Sequence, residues 1–177
     1  DSEEHPGQPR HRPPLGISAW LKQFTRDHPG SLVVCAAGNY GRDRPFWPAA
    51  HPDVIGVAAL TGDLVHASFS NHGSWVDVCT FGDQVVGDHP KGVVIDQQGG
   101  AETFTGDAAA WSGTSFAAPI VAAEVARRID ESANALTARD AWNALAGSLS
   151  TYTMTQHALG LVWNPLEAVP PHNPFAV

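Results

Sequence analysis

The chain is short of cysteine, short of basic charge and without a long apolar run. Ten Lys and Arg stand against eighteen Asp and Glu, a net charge of −8. That balance argues against a nucleic-acid partner, because phosphate binding needs a cationic surplus. No run approaches the ~20 apolar residues that cross a bilayer. No basic stretch followed by an apolar one opens the chain, so no signal peptide is expected in it. Nine histidines are scattered without the i, i+4 pairing of a zinc helix, which suits surface or loop positions. Two cysteines, Cys35 and Cys79, do not fix a redox compartment. They could meet across neighbouring strands, but free buried thiols are the favoured reading, since cysteine packs as a small hydrophobe. No histidine-bearing motif accompanies either one, which argues against a cysteine nucleophile.

What is present fits a piece of an α/β domain. A length of 177 residues allows one domain or less, and fourteen prolines with seventeen glycines imply many loops. Residues 1–14 read as a polar, Pro-rich tail, 15–170 as the folded part and 171–177 as a second tail. Ile17, Trp20, Leu21 and Phe24 follow helical spacing and predict an amphipathic helix from Leu15 to Asp27, stopped by Pro29-Gly30. Ser31 to Ala37 is a short, β-branched run that reads as a fully buried parallel strand, and Asp53 to Leu60 as another, with a loop over 40–52 between them. Val65 to Phe69 and Trp75 to Cys79 are predicted as a short hairpin or strand pair. Residues 82–110 read as a β excursion. Thr137, three residues before Asp140, opens a helix with a capping-box pattern that ends at Gly147. Leu159 to Pro165 reads as a short strand and turn.

Two segments carry chemistry. Gly113-Thr114-Ser115-Phe116-Ala117-Ala118-Pro119 places a serine at the mouth of an Ala-rich helix running to about Arg128. Free N–H groups and the positive end of the helix dipole stabilise developing negative charge there. Pro119 is expected within the first turn or so, where a missing N–H costs little. A Gly-Thr-Ser that merely caps a buried helix is the plainer alternative. Asn39 follows the apolar run ending in Ala37-Gly38, so it stands past the carboxyl end of a strand, where open α/β sheets bind ligands. Its amide can donate to an oxyanion; a simple turn residue is the alternative.

Together these segments resemble the subtilisin-like serine protease family. The match runs through Val34-Cys35-Ala36-Ala37-Gly38-Asn39, Trp47-Pro48-Ala49-Ala50-His51-Pro52-Asp53, Ala67-Ser68-Phe69-Ser70-Asn71-His72-Gly73 and Val76-Asp77-Val78 to the Ser115 motif. The resemblance implies a three-layer α/β fold with a mostly parallel central sheet flanked by helices. It implies Ser115 as nucleophile and Asn39 as oxyanion donor, with Ala36, Ala37 and Gly38 along one side of the pocket for the residue before the scissile bond. The loop Tyr40-Gly41-Arg42-Asp43-Arg44 shapes the floor of that pocket or is plain surface. The resemblance further implies a polypeptide substrate, a secreted or cell-envelope location and no required cofactor. A weak structural cation at Asp77, with carbonyls near Ala49 and His51, is a possibility, with structural hydrogen bonding by Asp77 favoured over it.

The family's triad Asp and His are missing. Their motifs, Asp-Thr/Ser-Gly and His-Gly-Thr-His, belong well upstream of Asn39. Asp1-Ser2 is followed by Glu3, and His5, His11 and His28 lack the Gly-Thr-His context. The chain therefore reads as the carboxyl-terminal half of a peptidase domain, needing an upstream half for activity. A longer precursor, two associated cleavage products and a truncated inactive relative each account for this. The last would make the chain a non-catalytic binding or regulatory module.

Overall fold

The computed structural model describes residues 13–89, 91–95, 98–154 and 157–162. The expected tails fall almost wholly outside these residues, as do Trp163 to Pro165 of the closing turn. Along the chain the elements are α1 (Leu15–Asp27), β1 (Val33–Ala36), β2 (Val54–Leu60), β3 (Val78–Phe81), β4 (Val85–Asp88), β5 (Gly92–Ile95), β6 (Ala101–Phe104), β7 (Ala108–Trp111), α2 (Thr114–Glu131), α3 (Ala138–Ala146), β8 (Ser150–Met154) and β9 (His157–Val162).

The fold is α/β, built on a five-stranded sheet of order β1-β2-β3-β9-β8. The first four strands in that order are parallel, with Val33 beside Val54 and Val57 beside Val78; β8 joins β9 antiparallel. β2 is central and every residue of it is buried, as its unbroken apolar run requires. β1 was expected to be buried as well, yet all four of its residues are only half-buried. Among the described residues it is an edge strand. The helix α1 shows the same deficit. It forms where its periodicity predicts, but only Ser18 and Leu21 are buried. Ile17 is 40% exposed and Trp20 58%, with Trp20 stacked on Phe24. Among the described residues both features leave apolar surface open.

One face of the sheet (Ile55, Val57, Ala59, Val78) packs against Ala117, Val121 and Val125 of α2 and Ala141, Trp142 and Leu145 of α3. The other carries Ala58, Leu60 and Cys79 against Ala37 and Val76. The predicted capping box of α3 is present: the Thr137 hydroxyl accepts the Asp140 N–H, and the Asp140 carboxylate accepts from Thr137. Such a cap contributes about 1 kcal/mol.

Two further expectations, the hairpin and the place of Pro119, are corrected, whereas Cys35 and Cys79 are free thiols as favoured. The 65–69/75–79 hairpin does not form. His66 makes one isolated bridge to Leu60, while 78–81 becomes β3, parallel to β2. The apolar run 76–79 is better satisfied inside the sheet than in an exposed ribbon. Cys35 and Cys79 are free thiols on strands separated by β2. Two strand spacings, about 9.6 Å, exceed the reach of a disulfide. Burial pushes the Cys79 thiol up to about 12, and the Cys35 thiol up as well. Neither is a thiolate near neutrality. Pro119 is the sixth residue of α2, beyond the first turn. It therefore removes the N–H that would bond to the Ser115 carbonyl.

Between β3 and α2 the β excursion is two nested antiparallel ribbons, β4 with β7 and β5 with β6. Ser112 anchors its base, donating to the Asp83 carboxylate and accepting from the Gln84 N–H.

Candidate active site

Asn39 and the Ser115 motif, far apart in sequence, meet at one end of the sheet. β1 delivers Ala37-Gly38-Asn39 past its carboxyl end, and α2 begins beside it. The Thr114 backbone N–H donates to Asn39 Oδ1 at 2.8 Å, and the Thr114 hydroxyl donates to the same oxygen at 2.9 Å. A backbone N–H can only donate, so the bonded atom must be the amide oxygen, and its orientation is unambiguous. The Asn39 amide nitrogen is left to face Gly113, where a Cβ would lie 3.2 Å from Nδ2. Any larger residue at 113 would crowd that nitrogen.

Thr114 is fully buried and closes the circuit, its hydroxyl accepting the Gly38 N–H at 3.0 Å. The loop is held from its other side by Asn71, also buried. Its amide donates to the Ala37 carbonyl at 2.8 Å and its oxygen accepts the Tyr40 and Arg42 N–H groups, each at 3.1 Å. Its own N–H reaches the Gly38 carbonyl. Ser70 fastens this turn to the sheet, accepting from Ala59 N–H and donating to the Asn71 carbonyl.

Ser115 is exposed and is the second residue of α2, whose helix start carries no side-chain cap. At this position the backbone N–H has no partner within the helix and points out of its amino end. The Ser115 hydroxyl makes no hydrogen bond to any described residue, and no described histidine is bonded to it. Of the predicted pocket residues, Ala37 and Gly38 are buried and Ala36 half-buried. The Ala37 methyl packs into the core beside Ala58 and Leu60, so Ala37 can offer a ligand only its main chain.

Asp77 serves the sheet. Its carboxylate accepts the Gly56 N–H at 2.7 Å, tying β2 to the strand beside it. Burial raises its pKa while that bond lowers it, and the balance is upward. One carboxylate already committed to an amide is a thin donor set for a hard cation that takes six to eight oxygens.

Sequence reasoning missed Thr114 and Asn71 as the residues that orient Asn39. Ser70-Asn71-His72-Gly73 looks like ordinary turn chemistry, and only burial reveals Asn71 as a clamp.

Gly38 is where this assembly tolerates least. Its φ is +97°, and an added Cβ would sit 2.5 Å from Asn71 Nδ2 and 3.1 Å from the Phe46 ring. Gly38→Ala is expected to cost about 2–4 kcal/mol, combining backbone strain with overpacking. Urea unfolding reads this directly. An unchanged midpoint would mean that the Asn71 clamp is not closed as described.

With this geometry in view, comparison with known proteins is decisive. The model of the Subtilase family matches residues 6–161. The chain belongs to the subtilase family. This subtilase chain is 38% identical over 122 residues to the thermophilic serine proteinase of Bacillus sp. (strain AK1), covering 68% of the chain and 27% of that relative. It is 38% identical over 93 residues to thermitase of Thermoactinomyces vulgaris, covering 52% of the chain and 28% of thermitase. Among solved structures it is similar to the prenylagaramide maturation protease PagA, with a TM-score of 0.64 and 25% identity over 85% of the chain and 54% of PagA. The chain thus spans little more than a quarter of the length of these two curated relatives.

Proposed function

We propose that this chain is the carboxyl-terminal half of a serine endopeptidase domain, hydrolysing peptide bonds through an acyl-enzyme on Ser115. The observation that carries this reading is the pair of hydrogen bonds that Thr114 donates to Asn39 Oδ1, which turns the Asn39 amide nitrogen toward the nucleophile's helix start. A cap or turn residue has no need of such an arrangement.

In the proposed reaction Ser115 Oγ attacks the scissile carbonyl. The Asn39 Nδ2–H and the Ser115 backbone N–H hold the tetrahedral oxyanion, and water releases the acyl group. A histidine from upstream sequence takes the Ser115 proton and gives it to the leaving amine as the C–N bond breaks, and an upstream aspartate orients that histidine and stabilises its charge. The upstream half would pair along β1 and cover α1. Ala36, Gly38 and the Ala37 main chain would form one wall of the pocket for the residue before the scissile bond. The substrate is a polypeptide. Family resemblance supports a secreted or cell-envelope location, and no described helix is long and apolar enough to cross a membrane.

The test joins this chain to an upstream segment carrying the Asp and His motifs and supplies an unfolded polypeptide. New peptide termini are expected from the joined protein and none from this chain alone. A folded, joined protein that cleaves nothing would sink the reading. The lack of a base on Ser115 among the described residues favours one second reading, a non-catalytic module; a functional protein with no upstream motifs would establish it.

A further inference from the structure

The loop that follows Asn39 does more than hold the oxyanion donor. Gly41, Arg42, Asp43, Arg44 and His72 line an open cavity of about 450 Å³. Arg42 lies there on a chain of net charge −8. Arg42 is the group that stands out. Its backbone is fixed at both ends, the N–H on Asn71 Oδ1 and the carbonyl accepting the His72 N–H at 2.9 Å. Its guanidinium lies over the Tyr40 ring, 5.8 Å from the centroid, which limits its rotamers. Yet it forms no ion pair with any described carboxylate. An arginine held in place without an acid, in a chain with an acidic surplus, is a donor fork waiting for an anion.

The geometry points to this cavity as a subsite for an acidic side chain of the polypeptide substrate, with Arg42 as the specificity-determining residue. Asn71 clamps Tyr40 and Arg42 together, so a carboxylate on Arg42 is placed within a few residues of the bond presented to Asn39. The assignment rests on the peptidase reading above and deepens it.

Binding separates the two. Fluorescein-labelled hexapeptides carrying Glu, Gln or Lys at one scanned position are titrated by anisotropy into the full chain with Ser115→Ala, so that nothing is turned over. At one position the Glu peptide is expected to bind about fivefold more tightly than its Gln counterpart, the scale of a partly exposed ion pair. The preference disappears in Arg42→Ala, turns toward Lys in Arg42→Glu and narrows at about 0.5 M salt. Equal affinity for Glu and Gln at every position overturns the proposal, and so does a Glu preference that survives in Arg42→Ala. Fluorophosphonate labelling of Ser115 in the chain joined to its upstream half reads the nucleophile without using the cavity. A Glu preference that follows Arg42 without labelling keeps the anion site and removes the peptidase reading; labelling without the preference does the reverse.

Discussion

Ser115→Ala, in the protein completed by its upstream half, is expected to lower kcat for peptide hydrolysis by about 10⁶-fold, the size carried over from removal of the same group in subtilisin. Substrate binding is expected to persist, because Ser115 is exposed at the start of α2 and holds nothing else together. Its hydroxyl has no described hydrogen-bond partner to lose. Some hydrolysis over the uncatalysed rate remains, since the Asn39 amide and the amino end of the helix still favour an oxyanion. Steady-state kinetics on a peptide amide, with a urea melt to confirm folding, check this. A loss under tenfold would assign the chemistry to another residue.

Asn39→Leu is expected to cost about 10² to 10³-fold in kcat with KM little changed, the signature of a donor that acts only on the transition state. Leucine keeps the volume and removes both amide functions. The substitution also leaves the Thr114 N–H and hydroxyl without their shared acceptor, a stability penalty of about 1–3 kcal/mol where those groups stay buried. The kinetic comparison is therefore made well below the melting transition. A rise in KM at constant kcat would instead make Asn39 a ground-state binding residue and remove the oxyanion assignment.

Much of the fold could be read from local pattern. α1 and α3 are announced by periodicity and capping, and β2 by an unbroken apolar run. The errors came where tertiary context outweighed local signals. Trp75 to Cys79 carries turn residues on one side and so reads as half of a hairpin, but its apolar side chains gain more by entering the sheet beside β2. Val33 and Val34 read as fully buried because they suit a central strand, whereas β1 is the edge of the described sheet. Pro119 was read as an early-turn proline because the motif alone does not show where the helix begins. At the site, Ser115 and Asn39 stand out in the sequence because the proposed chemistry demands particular residue types. Thr114 and Asn71 were not. They act by hydrogen bonds across 75 and up to 34 residues of sequence, and no spacing rule connects such partners. Arg42 lies between these cases: its loop was visible, and its lack of an acidic partner was not.

The most direct test of Ser115 as an armed nucleophile is intact-mass analysis after fluorophosphonate treatment. It is run on this chain alone and on the chain joined to its upstream half, with Ser115→Ala as the control. One adduct per molecule is expected in the joined protein, none in its Ser115→Ala variant and little in the chain alone, whose serine lacks a base. A folded, joined protein that remains unlabelled, or an adduct that persists in Ser115→Ala, would contradict the account.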